Sequence, residues 1–229
     1  MANKKSVEIR KQNARRDDLL VARKKLRVFP VIALVLAVIL LLLFLTNWAA
    51  IHNSADDSIE VKFTGFQSIS AGLSGNYKSA DEASFGNLST FYYFVPSAVR
   101  TLCLLTVVTL FVLIVQGIVS LFAAITNKQG AFNVIGVVLA AAEAGLFIAC
   151  YAVARSMNDP MVDGYCKGNP ACSVQSTAIL PALFAILSLA LPILAMLFDL
   201  RAKRAIRAEQ EAASRALPRK AVGAKGNRR

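Results

Sequence analysis

The sequence predicts an all-α membrane protein in which four transmembrane helices form a bundle under a small extracytoplasmic cap. Three observations support this fold class. Of the 229 residues, 56% are hydrophobic, which is more than a soluble domain carries. Four apolar stretches are long enough to cross a hydrocarbon core of about 30 Å. Most Lys and Arg residues lie outside these stretches, which cover about residues 28–50, 98–125, 132–154 and 177–200.

The charge pattern predicts how the chain is oriented. Twenty of the 26 Lys and Arg residues lie in a basic N-terminal segment, residues 1–27, and a basic C-terminal tail, residues 201–229. The basic side of a membrane protein faces the cytoplasm, so we expect both termini inside, a plasma-membrane location and contact with anionic lipid headgroups. The outer loops are then residues 51–97 and 155–176. The net charge of +12 does not indicate a nucleic-acid partner, because no recognition fold accompanies it.

The first span is almost purely aliphatic between residues 34 and 45, which favours exposure to lipid. Pro30 lies in its first turn, where a missing N–H costs little. Trp48 is expected at the outer membrane interface, since amphipathic rings prefer that region. The apolar run and its basic flank are long for a cleaved signal peptide, so we interpret the segment as an uncleaved signal-anchor.

The first outer loop carries a strand pattern. Ile59, Val61 and Phe63 alternate with polar residues, and this period of two is typical of a β-strand. The aromatic cluster at residues 91–95 allows two interpretations, an aromatic belt at the membrane surface or a second strand. We therefore expect an ordered cap, for which short β-strands are one alternative. Asn87 begins an Asn-Leu-Ser glycosylation sequon.

The three later spans differ in composition. A turn of about five residues makes the second and third spans antiparallel neighbours. The third span is rich in Gly and Ala, which predicts close helix packing. The fourth contains Pro181 and Pro192, and a proline within a helix usually kinks it. A stretch rich in Ala, Arg and Glu at residues 201–217 can continue this helix beyond the membrane.

Glu143 is the one ionisable residue near the middle of a span, where a charge costs about 2.5–3.5 kcal/mol on insertion scales. Counting from the inner turn places Gln116 within about 3 Å of the same depth, and Ser188 at a similar depth. These three residues form a candidate intramembrane polar cluster. Three roles stay open: a protonated Glu143 hydrogen-bonded to Gln116 or Ser188 for structural reasons, a contact with a partner subunit, and an ion or proton pathway. We expect the first.

The four cysteines fall into two pairs. Cys166 and Cys172 flank a turn with Gly168 and Pro170 in the second outer loop, and such a pair outside the cytoplasm predicts a disulfide. Zinc is not expected, because the only His is His52 and no other outer cysteine is present. Cys103 and Cys150 lie within spans, where a thiol acts as a small hydrophobic group.

No catalytic, cofactor-binding or metal-binding motif is present, and a chain with one His lacks the residues for common hydrolase mechanisms. We therefore expect a non-enzymatic protein without cofactors. The favoured function is an accessory or interaction subunit that binds another integral membrane protein such as a transporter. The alternative is a small oligomeric transporter or channel that uses Glu143 in its pathway.

The layout resembles the tetraspan architecture of claudin-type proteins, with inner termini and a longer first outer loop that carries a strand pattern. The Trp, Gly-Leu-Trp and paired Cys residues of the claudin first loop have no counterpart, since the only Trp is Trp48 and the first loop has no Cys. The resemblance therefore concerns architecture and implies no functional residue.

Overall fold

The computed structural model describes residues 26–54, 58–77, 92–126 and 129–216. Most of the basic N-terminal segment, Asn87 and the tail from residue 217 onward lie outside the described residues. The described chain is mostly helical and also contains one small sheet.

Six α-helices and one π-helical turn lie wholly within the described residues, and Leu26 and residues 92–94 are also helical. Three of the helices, α3, α4 and α6, are long and apolar enough to cross a membrane. The first helix has 16 residues and is therefore about 24 Å long at 1.5 Å per residue. The elements are α1 (Val28–Leu43), α2 (Gly65–Ser74), α3 (Pro96–Thr126), α4 (Gln129–Ser156), α5 (Asn158–Met161), the π-helical turn (Val162–Cys166) and α6 (Ile179–Ala216).

The four longest helices form a ring in which each packs against two neighbours: α1 contacts α3 and α6, and α4 also contacts α3 and α6. Buried positions alternate at spacings of three and four along each long helix, the repeat of left-handed helix packing. On α4 these positions are 133, 136, 140, 143, 147, 150, 154 and 157, and on α3 they are 99, 102, 106, 109, 113, 116, 120 and 123.

The predicted first span, residues 28–50, is wrong at its C-terminal end, because α1 ends at Leu43. The Thr46 hydroxyl donates to the Leu43 carbonyl oxygen at 2.7 Å, and the Trp48 indole N–H donates to the same oxygen at 3.2 Å. The backbone N–H of Thr46 donates to the same oxygen at 3.2 Å, so the last carbonyl of α1 is fully hydrogen-bonded where the helix ends. The chain then enters strand β1 (Asn47–Asn53), whose backbone pairs with two other strands.

A three-stranded antiparallel sheet closes one end of the bundle. Its strands are β1, β2 (Ser58–Thr64) and β3 (Cys172–Gln175), in the order β2-β1-β3. The predicted strand around Ile59–Phe63 is confirmed. The alternative that the aromatic cluster forms a second strand is wrong, since residues 92–94 are helical. Because β3 comes from the second outer loop, the sheet joins both loops into one cap.

The sheet defines two ends of the bundle. The chain passes from α1 into β1 and from β3 into α6, so the start of α1 and the later part of α6 lie together at the far end, away from the sheet. The rings of Phe29 and Phe198 stack there with centroids 5.8 Å apart. Beyond this contact α6 continues to Ala216, and Lys203 pairs with Asp199 at 2.6 Å.

Trp48 does not lie at an exposed interface as predicted. It is fully buried beneath the sheet, with ring centroids 5.1 Å from Phe44 and 6.4 Å from Phe147. Gly65 passes so close to the indole that a Cβ atom at this position would lie 2.6 Å from the ring. The ring therefore packs between the ends of the helices and the cap.

Only one of the two prolines of α6 lies where it could kink the helix. Pro181 lies in the first turn, where its missing N–H breaks no helical hydrogen bond, whereas Pro192 lies inside the helix. Pro192 cannot supply the N–H that the carbonyl of Ser188 would accept in a regular helix. Gly136 of α4 faces it, and a Cβ at Gly136 would lie 3.4 Å from the Pro192 Cβ.

The buried apolar residues form two separate clusters. The larger lies beneath the sheet and includes Trp48, Phe147, Leu113 and Leu40. The smaller, at the far end, consists of Ala33, Ala123, Phe132 and Ala195. The stretch of the bundle between them is where the predicted polar residues lie.

Candidate functional site

The structure buries all three residues of the predicted polar cluster inside the bundle. The exposed fraction is 1% for Glu143, 2% for Gln116 and 3% for Ser188. They come from three different helices, α4, α3 and α6. Each occupies a position of the three-four repeat described above, so each side chain points toward neighbouring helices and not toward lipid.

The pairing of α3 and α4 places Gln116 opposite Glu143. The Thr109 hydroxyl contacts the Cys150 sulfur at 3.7 Å, which fixes the antiparallel register of the two helices. Seven residues further along α3 is Gln116, and seven residues back along α4 is Glu143. Seven residues are about two helical turns, so Gln116 and Glu143 lie at the same level, two turns from the Thr109–Cys150 contact.

The Glu143 carboxyl has no hydrogen-bond partner for either oxygen among the described residues. The Ser188 hydroxyl is near enough to interact with the carboxyl, but the geometry of that approach is not that of a hydrogen bond. That hydroxyl donates instead to the carbonyl oxygen of Ala185, one turn earlier on α6, at 2.9 Å. Gln116 is equally unpartnered within the described chain, at both its amide nitrogen and its amide oxygen.

Two further residues belong to this region and were missed by the sequence analysis. Ser120, one turn from Gln116, is fully buried, and Asn133 is 3% exposed. The Ser120 hydroxyl and the Asn133 side-chain oxygen also lack partners among the described residues. We call Gln116, Ser120, Asn133, Glu143 and Ser188 the polar layer. A three-four repeat drawn through Gln116 and Glu143 would have found the two missed residues.

Buried polar groups on α2 and α3 nearer the sheet behave differently, because they are paired; the Asn158 side-chain oxygen, on α5, is the exception at that end among the described residues. The hydroxyls of Ser68 and Thr106 lie 2.9 Å apart, and Thr106 donates to the Cys103 carbonyl oxygen at 2.8 Å. The Thr109 hydroxyl donates to the Leu105 carbonyl oxygen at 2.7 Å. Unpartnered buried oxygen atoms are therefore concentrated in the polar layer, where each costs stability.

The chemistry available to the polar layer is that of oxygen ligands. At the level of Glu143 it offers one carboxylate, the amide oxygen of Gln116 and the hydroxyl of Ser188, while Ser120 and Asn133 lie further toward the far end. Within the described residues, no group of three or more His, Cys, Asp and Glu side chains could hold a metal ion. A single carboxylate among neutral oxygens suits a ligand that carries one positive charge or donates hydrogen bonds.

The outer cysteines are far from this layer. Cys166 and Cys172 form a disulfide at the sheet end. Lys167 and Gly168 adopt left-handed conformations in the enclosed turn, with φ values of 49° and 79°. Cys172 begins β3, and the Ser54 hydroxyl donates to the Ala171 carbonyl oxygen at 2.9 Å, so the bridge lies where the two outer loops meet. Cys103 and Cys150 are buried free thiols.

The outward face of α4 differs from those of the other long helices. Small residues are exposed along its middle beside one large residue, Ile148, and its first part exposes Val134, Ile135 and Val138. The residues exposed on α1, α3 and α6 are mostly large aliphatic and aromatic ones. A Cβ at Gly145 would meet no atom within 4 Å. The exposed small residues are Ala141, Ala142, Gly145 and Ala152, which we call the small-residue face.

No protein-family model, curated protein or solved structure matches this chain. The polar layer and the small-residue face are therefore the features that bear on its function.

Proposed function

We propose that this protein is a non-enzymatic multi-pass membrane protein that serves as an accessory or interaction subunit of another integral membrane protein, such as a transporter. The observation that supports this role is the small-residue face of α4. Helices in a membrane associate where small residues let their backbones approach closely. The sequence pattern suggested that these residues pack inside the bundle, but Ala141, Ala142 and Gly145 face outward.

The placement in the membrane is part of the same proposal. Helix α1 packs beside two longer helices and is the fourth span, with the sheet covering its outer end. The far end of the bundle then faces the cytoplasm, because the basic residues Arg201, Arg204 and Arg207 are exposed on α6 beyond Phe198. These side chains contact anionic headgroups of the plasma membrane, and both termini are cytoplasmic.

The partner interface can be tested with a pair of matched glycines. Gly145 on α4 and Gly117 on α3 both have open space around a Cβ atom. A photocrosslinking residue at position 145 in the full chain should give one defined adduct with a second membrane protein in native membranes. The same residue at position 117 should give none. Gly145→Leu should abolish co-purification of that protein in mild detergent, and Gly117→Leu should not.

The outcomes of this test separate the alternatives. Equal, diffuse crosslinking at both positions would show that α4 faces lipid only and would contradict the proposal. An adduct with a second copy of the same chain would identify a homo-oligomer and would favour the second candidate function instead.

That second candidate is a small oligomeric transporter or channel with Glu143 in its pathway. A specific observation favours it: the polar layer holds several buried oxygen atoms that have no partner among the described residues. A purely structural polar cluster would be expected to satisfy its own hydrogen bonds.

A further inference from the structure

We propose that the polar layer is a binding site for one monovalent metal cation of the Na⁺ or K⁺ class, held by the Glu143 carboxylate and by neutral oxygens of Gln116 and its neighbours. This inference deepens the second candidate function by naming a ligand class. It does not require transport, since a protein can bind an ion in its core without moving it across the membrane.

The geometry supports a site because the candidate ligands converge from three helices at one level. The Thr109–Cys150 contact fixes the register that places Gln116 opposite Glu143. Ser188 lies beside the same carboxyl from α6. Pro192 also leaves the carbonyl of Ser188 without its regular helical donor, which adds a main-chain oxygen at this level. Broken helical hydrogen bonding of this kind is tolerated in membranes where another group can satisfy the freed oxygen.

The unpartnered state of these groups is the second, independent observation. Four side chains that are at least 97% buried hold polar atoms without a partner among the described residues: Gln116, Ser120, Asn133 and Glu143. Their oxygens are hard ligands, the type that alkali and alkaline-earth cations prefer. A cation between Glu143 and Gln116 would satisfy oxygens of both at once, whereas Ser120 lies one helical turn away and Asn133 about 15 Å away along α4, too far to bind the same ion.

The charge of the layer selects a monovalent ion. Glu143 is the only ionisable side chain in the layer, and the described spans place no second acid there to share a divalent charge. A Na⁺ or K⁺ ion beside one carboxylate gives a neutral pair. A divalent ion would leave a net positive charge in a low-dielectric environment, which is costly.

The site is closed toward the sheet. Leu40, Leu113 and Phe147 lie on that side and are at most 2% exposed. The other unpartnered groups, Ser120 and Asn133, continue toward the far end of the bundle. The far end is closed as well, because Ala123 and Phe132 there are at most 1% exposed, so apolar residues enclose the polar layer on both sides.

The test measures the melting temperature of the purified full-length protein in detergent as NaCl or KCl replaces choline chloride at constant ionic strength. A site predicts a saturable rise in melting temperature with Na⁺ or K⁺ that choline does not give, because a ligand that binds only the folded state stabilises it. Glu143→Gln should abolish the rise. Gln116→Leu should shift its half-saturation to at least about tenfold higher concentration. Thr106→Val, which removes a paired hydroxyl on α3 about three turns from Gln116, should leave the salt-dependent rise unchanged.

Several results would overturn the site. The melting temperature could be the same in all three salts, or its rise could persist in Glu143→Gln. It could also rise with Mg²⁺ or Ca²⁺ only. A melting temperature that depends on pH alone would indicate a protonated carboxyl and no bound metal. If Glu143→Gln does not fold, the melting temperatures of the wild type in the three salts and of Gln116→Leu still test whether the cation site exists. Na⁺ flux in liposomes is measured separately: binding without flux keeps the site and removes the transporter candidate. The photocrosslinking test at Gly145 is independent of both results.

Discussion

In the half of the bundle next to the sheet, Ser68 and Thr106 bond to each other and Thr109 bonds to the backbone of its own helix. In the half away from the sheet, Gln116 and Glu143 are just as deeply buried and have no hydrogen-bond partner within the described chain. Buried polar side chains around α3 are therefore hydrogen-bonded in the half next to the sheet and lack partners in the other half. Proteins retain such local violations where function requires them, so the difference separates the stabilising half from the candidate functional half.

The apolar packing follows the same division. Large side chains such as Trp48 and Phe147 fill the sheet half, where the cap and both outer loops converge. The far half has a small cluster made mainly of alanines. Because burial of large apolar groups dominates folding energetics, most of the stability is expected to come from the sheet half. Three substitutions can break or sharpen this comparison.

The largest effect is expected at Trp48. Trp48→Ala should lower the free energy of unfolding by about 3–5 kcal/mol, since it leaves a cavity beneath the sheet and removes the indole N–H from the Leu43 carbonyl. Chemical unfolding in detergent measures the change. Trp48→Phe keeps an aromatic ring and should cost clearly less. A loss below about 1 kcal/mol in Trp48→Ala would contradict the assignment of the sheet half as the stabilising region.

A smaller effect is expected from the paired hydroxyls. Ser68→Ala should lower stability by about 0.5–1.5 kcal/mol, because it removes one buried hydrogen bond while the Thr106 hydroxyl keeps its bond to the Cys103 carbonyl oxygen. Ser70→Ala, an exposed serine on the same helix, is the matched control and should change stability by less than about 0.5 kcal/mol. If both variants unfold at the same denaturant concentration as the wild type, the Ser68–Thr106 hydrogen bond does not contribute to stability.

Sequence reasoning came close for the long helices and failed at the first outer strand, for a physical reason. Residues 96–126 and 129–156 are helical within a few residues of the predicted spans, because an apolar run of that length has no other way to satisfy its backbone in lipid. Residues 48–51 continue the apolar run of α1, and their local sequence is as apolar as that of the helix itself. What makes them a strand is pairing with residues 58–64 and 172–175, which no local pattern contains.

The candidate site was predictable to a similar degree. Counting residues from the inner turn brings Glu143, Gln116 and Ser188 to one depth, and the structure buries all three. The count could not show that Ser188 donates to Ala185 and leaves Glu143 without a bond, because rotamers depend on packing. Nor could it show that the small residues of α4 face outward, since Gly and Ala carry little information about which face is buried.

The smallest effect is expected from Gln116→Leu in choline medium, and its sign is the sharpest test of the comparison. The side chains have similar size, and the amide that is lost has no partner among the described residues. The change removes a desolvation penalty without breaking a bond, so stability should stay within about 0.5 kcal/mol or rise. Gln67→Leu is the matched substitution in the sheet half, where the Gln67 amide oxygen accepts from the Thr64 N–H at 2.8 Å in a capping box. It should cost about 0.5–2 kcal/mol, because the helix start loses that bond. If Gln116→Leu proved the more destabilising of the two, the far half would be satisfied by its own contacts, and the contrast between the halves would fail.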